Sequence, residues 1–327
     1  MIRFFSGNNP LNLFVLLFLG VVMKLPYFLS PLVPVMGKTD GFLYLQLLRW
    51  LLAPGQVFPY LYPLIAYLLL FTQAVSLNSF VNENRFFPNP QFLTGFAYLM
   101  LSSLIPEWNT LSPVLITNTV LISILPLMTG LYHKSHVKGN LFNIGFGLGL
   151  CSFVYFPSVY LVVLLIIALA MFRPVQITEW LVTIAGVITP FYFLLVYFFV
   201  WDQWGRIKEI VPSHQLVLPS VENKWQFWVM TGFVLLPAFL GLLISNKHVS
   251  RMGVQGRKNW ALVFYFFLFS LFIPFINNFN GLNHFIMTLA PVSIYAAAFY
   301  TFPYRKKGIE YTIWLSLAWI IWQYLST

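Results

Sequence analysis

Long apolar runs alternate along this chain with short polar interruptions. A helix needs about 20 mostly apolar residues to cross a bilayer. Runs near that length cover residues 11–31, 58–77, 111–131, 181–201, 226–245, 260–276 and 285–302, with one more after 307. Three shorter runs, 91–105, 142–155 and 158–172, bring the predicted spans to eleven. A pair of the short ones can form a re-entrant hairpin without changing the alternation of sides. Segment 40–53 breaks the pattern. Tyr44, Gln46 and Arg49 interrupt its apolar residues, Asp40 sits where an N-cap belongs, and Pro54-Gly55 marks an end. It predicts a helix lying in the membrane interface. The longest polar stretch, 202–225, is amphiphilic and predicted to be partly helical up to Pro212. The fold class is therefore an all-α polytopic membrane protein. It has one integral domain over residues 1–327, with about eleven transmembrane helices and an interfacial helix after the first span.

Charge orients the spans. With the N-terminus in the cytoplasm, Arg3, Arg85, Lys134, Lys138, Arg173, Lys247, Arg251, Arg257, Lys258, Arg305, Lys306 and Lys307 fall inside. Lys24, Lys38, Arg49, Arg206, Lys208 and Lys224 fall outside. Retention of cationic loops on the cytoplasmic side predicts this bias. An odd number of spans then puts the C-terminus in the periplasm of a bacterial inner membrane. Lys24 interrupts the first span in its outer third, where a lysine can snorkel to the interface.

Composition agrees. Charged residues make up 8% of the 327 positions, against roughly a quarter in a soluble domain. The net charge of +10 sits in short loops beside spans, which excludes nucleic acid as the partner and favours membrane lipid headgroups. A single cysteine, Cys151, allows no disulfide within the chain. The first apolar run is too long for a signal peptide and lacks a small-residue cleavage site, so it is expected to be retained.

Sorting polar residues by side directs attention outward. Asp40, at the interfacial helix, can act as a general base or a divalent-cation ligand. Its plainer role is an N-cap. Glu107, the one charge in its loop, is a second catalytic candidate. It fits equally as the first turn of a short helix. Arg206, Lys208 and His214 can hold a phosphate, or form an ordinary solvated face. Asn280, in a turn with Asn277, Asn278 and Asn283, suits a hydroxyl-rich ligand, though asparagine is also a common turn residue. His284 follows that turn at the membrane surface. His133 and His136 have too few partners for a metal site. Gly145, Gly147 and Gly149 suit close helix packing.

The order of these features resembles the C-type (GT-C) membrane glycosyltransferases. The residues that carry the resemblance are Asp40 to Leu45, Pro59-Tyr60-Leu61-Tyr62-Pro63-Leu64, the glycine run 145–150, and His284-Phe285 leading to Pro291. The resemblance implies a multi-helical enzyme that takes a sugar from a polyprenyl-phosphate carrier. It departs from the pattern in having one carboxylate at Thr39-Asp40, a histidine at 284 where arginine is usual, and no lysine at Tyr155 to Ser158. The whole chain also resembles a family of uncharacterised multi-pass membrane proteins of Bacteroidota. That resemblance rests on Phe4-Phe5-Ser6, Leu141 to Phe146, Phe156-Pro157-Ser158 and Phe172-Arg173-Pro174.

Two functions of different class follow. One is a transferase at the outer leaflet that uses a polyprenyl-phosphate-linked sugar. Asp40 is its base or cation ligand, and Arg206, Lys208 or His284 hold the carrier phosphate. The other is a non-catalytic scaffold or accessory of envelope assembly, favoured by the missing carboxylate and arginine. A secondary transporter is disfavoured, because ionisable residues near the midplane are almost absent.

Overall fold

The computed structural model describes residues 2–7, 9–34, 36–37, 40–132, 134, 136–206, 224–276, 282–302 and 306–326. Among these residues the protein is helical and contains no strand. The helices are α1 (Ile2–Phe5), α2 (Leu11–Leu29), α3 (Phe42–Val57), α4 (Leu61–Glu83), α5 (Leu93–Ser103), α6 (Pro113–Thr129) and α7 (Lys138–Val154). They continue with α8 (Val162–Phe172), α9 (Ile177–Val200), α10 (Lys224–Val249), α11 (Val254–Phe272), α12 (Leu289–Thr301) and α13 (Lys306–Ser326). Short 3-10 turns lie at Pro106–Asn109, Phe156–Leu161, Trp204–Arg206, Ile273–Ile276 and Asn283–Thr288.

Six stretches are long and apolar enough to cross a membrane: 11–29, 61–83, 177–200, 228–249, 254–275 and 283–301. The peripheral helices turn large apolar side chains outward, Phe14 and Phe18 on α2 and Ile184, Ile188 and Phe193 on α9. Water would disfavour such a surface, whereas hydrocarbon does not. The protein is thus an α-helical membrane protein. Every residue of α5 is buried, so this short helix is sheathed by protein and never meets lipid along its length. At about 1.5 Å per residue its 11 residues reach roughly half-way across a bilayer. The Pro106–Asn109 turn continues it.

Bonds between helix termini sort them into two ends. At the basic end, Phe92 N donates to Phe5 O at 2.8 Å. Gln91 Nε2 donates to Thr301 Oγ1 at 2.8 Å. Arg173 forks onto Glu179 at 2.5 and 3.2 Å and donates to Lys134 O. Lys258 Nζ donates to Met171 O. The opposite end is capped by α3. Its start, Gly41, lies against the backbone of Phe153 and Val154 on α7, leaving no room for a Cβ. Tyr44 Oη then donates to Leu111 O, just before α6, at 3.0 Å. Gly55 packs on Tyr62 of α4, whose hydroxyl donates to Leu51 O at 3.2 Å. The helix therefore lies across the ends of α7, α6 and α4.

Three local expectations are corrected. Pro54-Gly55 does not end α3, which runs on to Val57, because Pro54 deletes a single backbone donor and Tyr62 clamps the turn that follows. The fourth helix extends through the polar residues 78–83, because Asn78 and Asn82 find partners at Gly95 N and Gln91. Lys24 does not snorkel. It is 2% exposed and donates to Ser102 Oγ at 2.9 Å and to Asn109 Oδ1. Buried acceptors at the end of α5 hold it where water does not reach.

Glycines bring two helix pairs into backbone contact. A Cβ at Gly145 would lie 2.5 Å from Thr183 O, and one at Gly149 would lie 2.6 Å from Val187 O. The shared four-residue step shows that α7 and α9 pack in parallel. Gly241 on α10 meets the Tyr295 carbonyl of α12 in the same way. Small residues permit this approach where lipid supplies no hydrophobic drive between helices.

Candidate functional site

At the end capped by α3, a cavity of about 510 Å³ opens between residues 32–34, Gly37 and Asp40, the start of α6 and the Asn283–Thr288 turn. Asp40, Tyr44, Glu107, Ser112, Asn283 and His284 supply its polar lining, and Leu32, Val33 and Pro34 form an apolar edge. Three of the seven residues singled out from sequence thus meet in one space: Asp40, Glu107 and His284. The backbone of Arg206 lies in the Trp204–Arg206 turn, and its side chain is outside the described atoms. Lys208, His214 and Asn280 lie outside the described residues.

Asp40 is not the N-cap of α3. Gly41 holds that position, with no side-chain cap. The Asp40 carboxylate instead folds back to accept from Gly37 N at 2.7 Å, while Asp40 N donates to Gly37 O at 3.3 Å. The bond engages one carboxylate oxygen, Oδ2, of a residue that lines the cavity. Partial burial raises the Asp40 pKa above the ordinary carboxylate value, and the Gly37 bond opposes part of the rise. The effect is a more basic carboxylate than a solvated one.

Glu107 sits in the first turn of Pro106–Asn109, as its proline and position predict. Its carboxylate reaches across to the backbone N–H groups of Leu282 and Asn283. Burial raises its pKa, and these two bonds pull it partly back. Beside it, Trp108 Nε1 donates to Leu282 O at 2.8 Å. Glu107 and Trp108 together grip both backbone groups of Leu282, the residue that leads into the turn bearing His284. His284 is 9% exposed, and its ring stacks on Tyr155 with centroids 5.5 Å apart.

This grip gives a direct expectation. Glu107→Ala removes the acceptor for two partly buried backbone N–H groups, at up to about 1–3 kcal/mol each. Glu107→Gln keeps one acceptor oxygen. Thermal unfolding in detergent should show a large loss for alanine and a small one for glutamine. Equal losses would mean that the grip contributes nothing.

The divalent-cation reading of Asp40 finds no support in the donor set. Among the described residues no three His, Cys, Asp or Glu side chains gather to hold a metal. On the far side of Tyr44 lies a second, apolar groove of about 260 Å³, bounded by Leu43, Leu47, Trp50, Ile116 and Val154. The cavity of mixed lining and the apolar groove thus share one tyrosine of α3. Sequence reasoning named Asn283 among the turn asparagines but missed Trp108 as a structural donor and Lys24 as a buried residue. The last had a signal, since a charge within a span is rarely idle.

Fold and site together define the class as a helical membrane protein with a cavity of mixed polar and apolar lining beneath α3 at one end of its bundle. No known protein family, characterised protein or solved structure matches this chain.

Proposed function

We propose that the protein is a GT-C-like glycosyltransferase of a bacterial inner membrane, using a polyprenyl-phosphate-linked sugar at the outer leaflet. The observation that carries this reading is the convergence of Asp40, Glu107 and His284 on one cavity, with an apolar groove alongside. The groove suits a lipid chain and the cavity its head. Alternation of helix ends supports eleven passes, with the N-terminus at the basic, cytoplasmic end and the C-terminus at the cavity, periplasmic end. Gln323 Nε2 of α13, for example, donates to Leu104 O at 3.2 Å.

In this reading Asp40 takes the proton of an acceptor hydroxyl. The hydroxyl oxygen bonds to the sugar's anomeric carbon, the bond from that carbon to phosphate oxygen breaks, and polyprenyl phosphate leaves with the electron pair. Arg206, Lys208 and His284 are assigned to the leaving phosphate. Glu107 is assigned to holding the 282–284 wall. No step is routed through a metal.

A base must be ionised to act. Because burial raises the Asp40 pKa, turnover should climb with pH along an acid limb lying above the ordinary carboxylate range of about 3.9. Purified protein in lipid vesicles, supplied with a polyprenyl-phosphate sugar, would show this limb. A flat profile down to pH 4 would remove Asp40 from the chemistry.

One observation favours the accessory reading. Glu107 is engaged by backbone, which leaves Asp40 as the one lining carboxylate available for chemistry among the described residues. An accessory would be needed by the envelope but would tolerate loss of the Asp40 charge.

A further inference from the structure

Lys24 is among the most deeply buried large side chains in the protein, and no carboxylate pairs with it among the described residues. Its ammonium donates to Asn109 Oδ1 and to Ser102 Oγ. Asn109 in turn donates to Ser102 O and Ile105 O, both at 3.0 Å. Asn109 is the last residue of the turn that carries Glu107 and Trp108, and those two grip Leu282. A chain of bonds therefore runs from the middle of the bundle to the cavity wall: Lys24 to Asn109, through the 106–109 turn to Leu282, and on to His284.

Burying an ammonium without an ion pair is unfavourable, and replacing such a group with an apolar one of similar volume is often neutral or stabilising. Stability alone therefore does not explain a lysine here. The geometry points to Lys24 as a positioning residue of the cavity, acting through Asn109 to fix the wall segment that presents Asn283 and His284. A small gap bounded by Tyr27, Leu32, Asn109 and Thr110 separates this cluster from the main cavity and shares Leu32 and Thr110 with it. Lys24 thus acts behind the wall and does not itself touch the cavity.

Backbone hydrogen exchange on the full-length protein in lipid nanodiscs tests this, read at the amides of Leu282 and Asn283. Lys24→Met should accumulate and resist heat like wild type, yet exchange those amides at least tenfold faster. Lys24→Gln keeps a donor for Asn109 and should restore protection. Ser102→Ala removes the other Lys24 acceptor but keeps Ser102 O as the acceptor for Asn109, and should exchange like wild type. Unchanged protection in Lys24→Met would overturn the proposal, and so would equal deprotection in Ser102→Ala. Failure of both Lys24 variants to accumulate would make the lysine a fold-building residue and overturn it as well.

Turnover forms a second arm, which rests on the transferase reading. In that arm Lys24→Met lowers kcat at least tenfold and leaves KM within twofold. Loss of protection without any transfer by the wild-type protein would uphold the positioning role and sink the transferase.

Discussion

Asp40→Asn should abolish transfer and make the protein more heat-stable. Loss of a general base lowers rate by about 10²- to 10⁴-fold. The asparagine oxygen can still accept from Gly37 N, so the 37–40 turn survives. The stability sign follows from burial. The folded-state pKa of Asp40 is raised, so its proton is held more tightly folded than unfolded. Its contribution to stability is fully present below the unfolded value of about 3.9 and is lost as pH rises through the folded value. Above the folded value the ionised side chain therefore weakens the fold, and a neutral amide removes that penalty. A stable, abundant and inactive variant is the mark of a carboxylate kept for chemistry at the expense of stability. Loss of activity together with loss of protein would instead make Asp40 a structural turn residue.

The second large effect belongs to packing. At Gly241→Ala the new methyl would overlap the Tyr295 carbonyl oxygen and come within 2.6 Å of its carbon. That neighbour is backbone and cannot rotate away. Helices α10 and α12 must separate, and overpacking of this kind costs about 1–3 kcal/mol. The disturbance should also reach the cavity, since α12 continues directly from the turn that carries His284. Gly232, nine residues earlier on the same helix, has nothing within 4 Å of its would-be Cβ. Gly232→Ala should be neutral, or stabilising by up to about 1 kcal/mol through helix propensity. Thermal melts of the two variants in parallel separate packing from propensity. Similar melting temperatures would mean that α10 and α12 do not touch through Gly241.

The hydropathy pattern made the helices legible, because each run records the apolar surface of one helix. Predicted run 111–131 became α6 at 113–129, and Ser112-Pro113 explains the start: Ser112 Oγ accepts from Leu115 N at 3.2 Å and proline fits the first helical position. The glycine run likewise announced a close contact that the structure places against α9. The short run 91–105 became α5 at 93–103, a helix walled in by protein that need not match the bilayer. In the site, Asp40, Glu107 and His284 were visible as isolated polar residues beside apolar runs. What each one touches was not visible. Glu107 meets Leu282, and Lys24 meets Asn109, across long stretches of chain. Local periodicity carries no trace of such partners. Lys24 shows the limit best. A charge within a span signals a role, but the sequence does not say whether the lysine reaches water or a buried asparagine.

The most direct test is surface-glycan profiling of a deletion strain complemented with wild type or with Asp40→Asn combined with His284→Ala. If the cavity is the site of transfer, wild type restores the profile and the double variant does not, at equal membrane abundance. Full restoration by the double variant would show that the polar cavity is dispensable and would contradict the transferase.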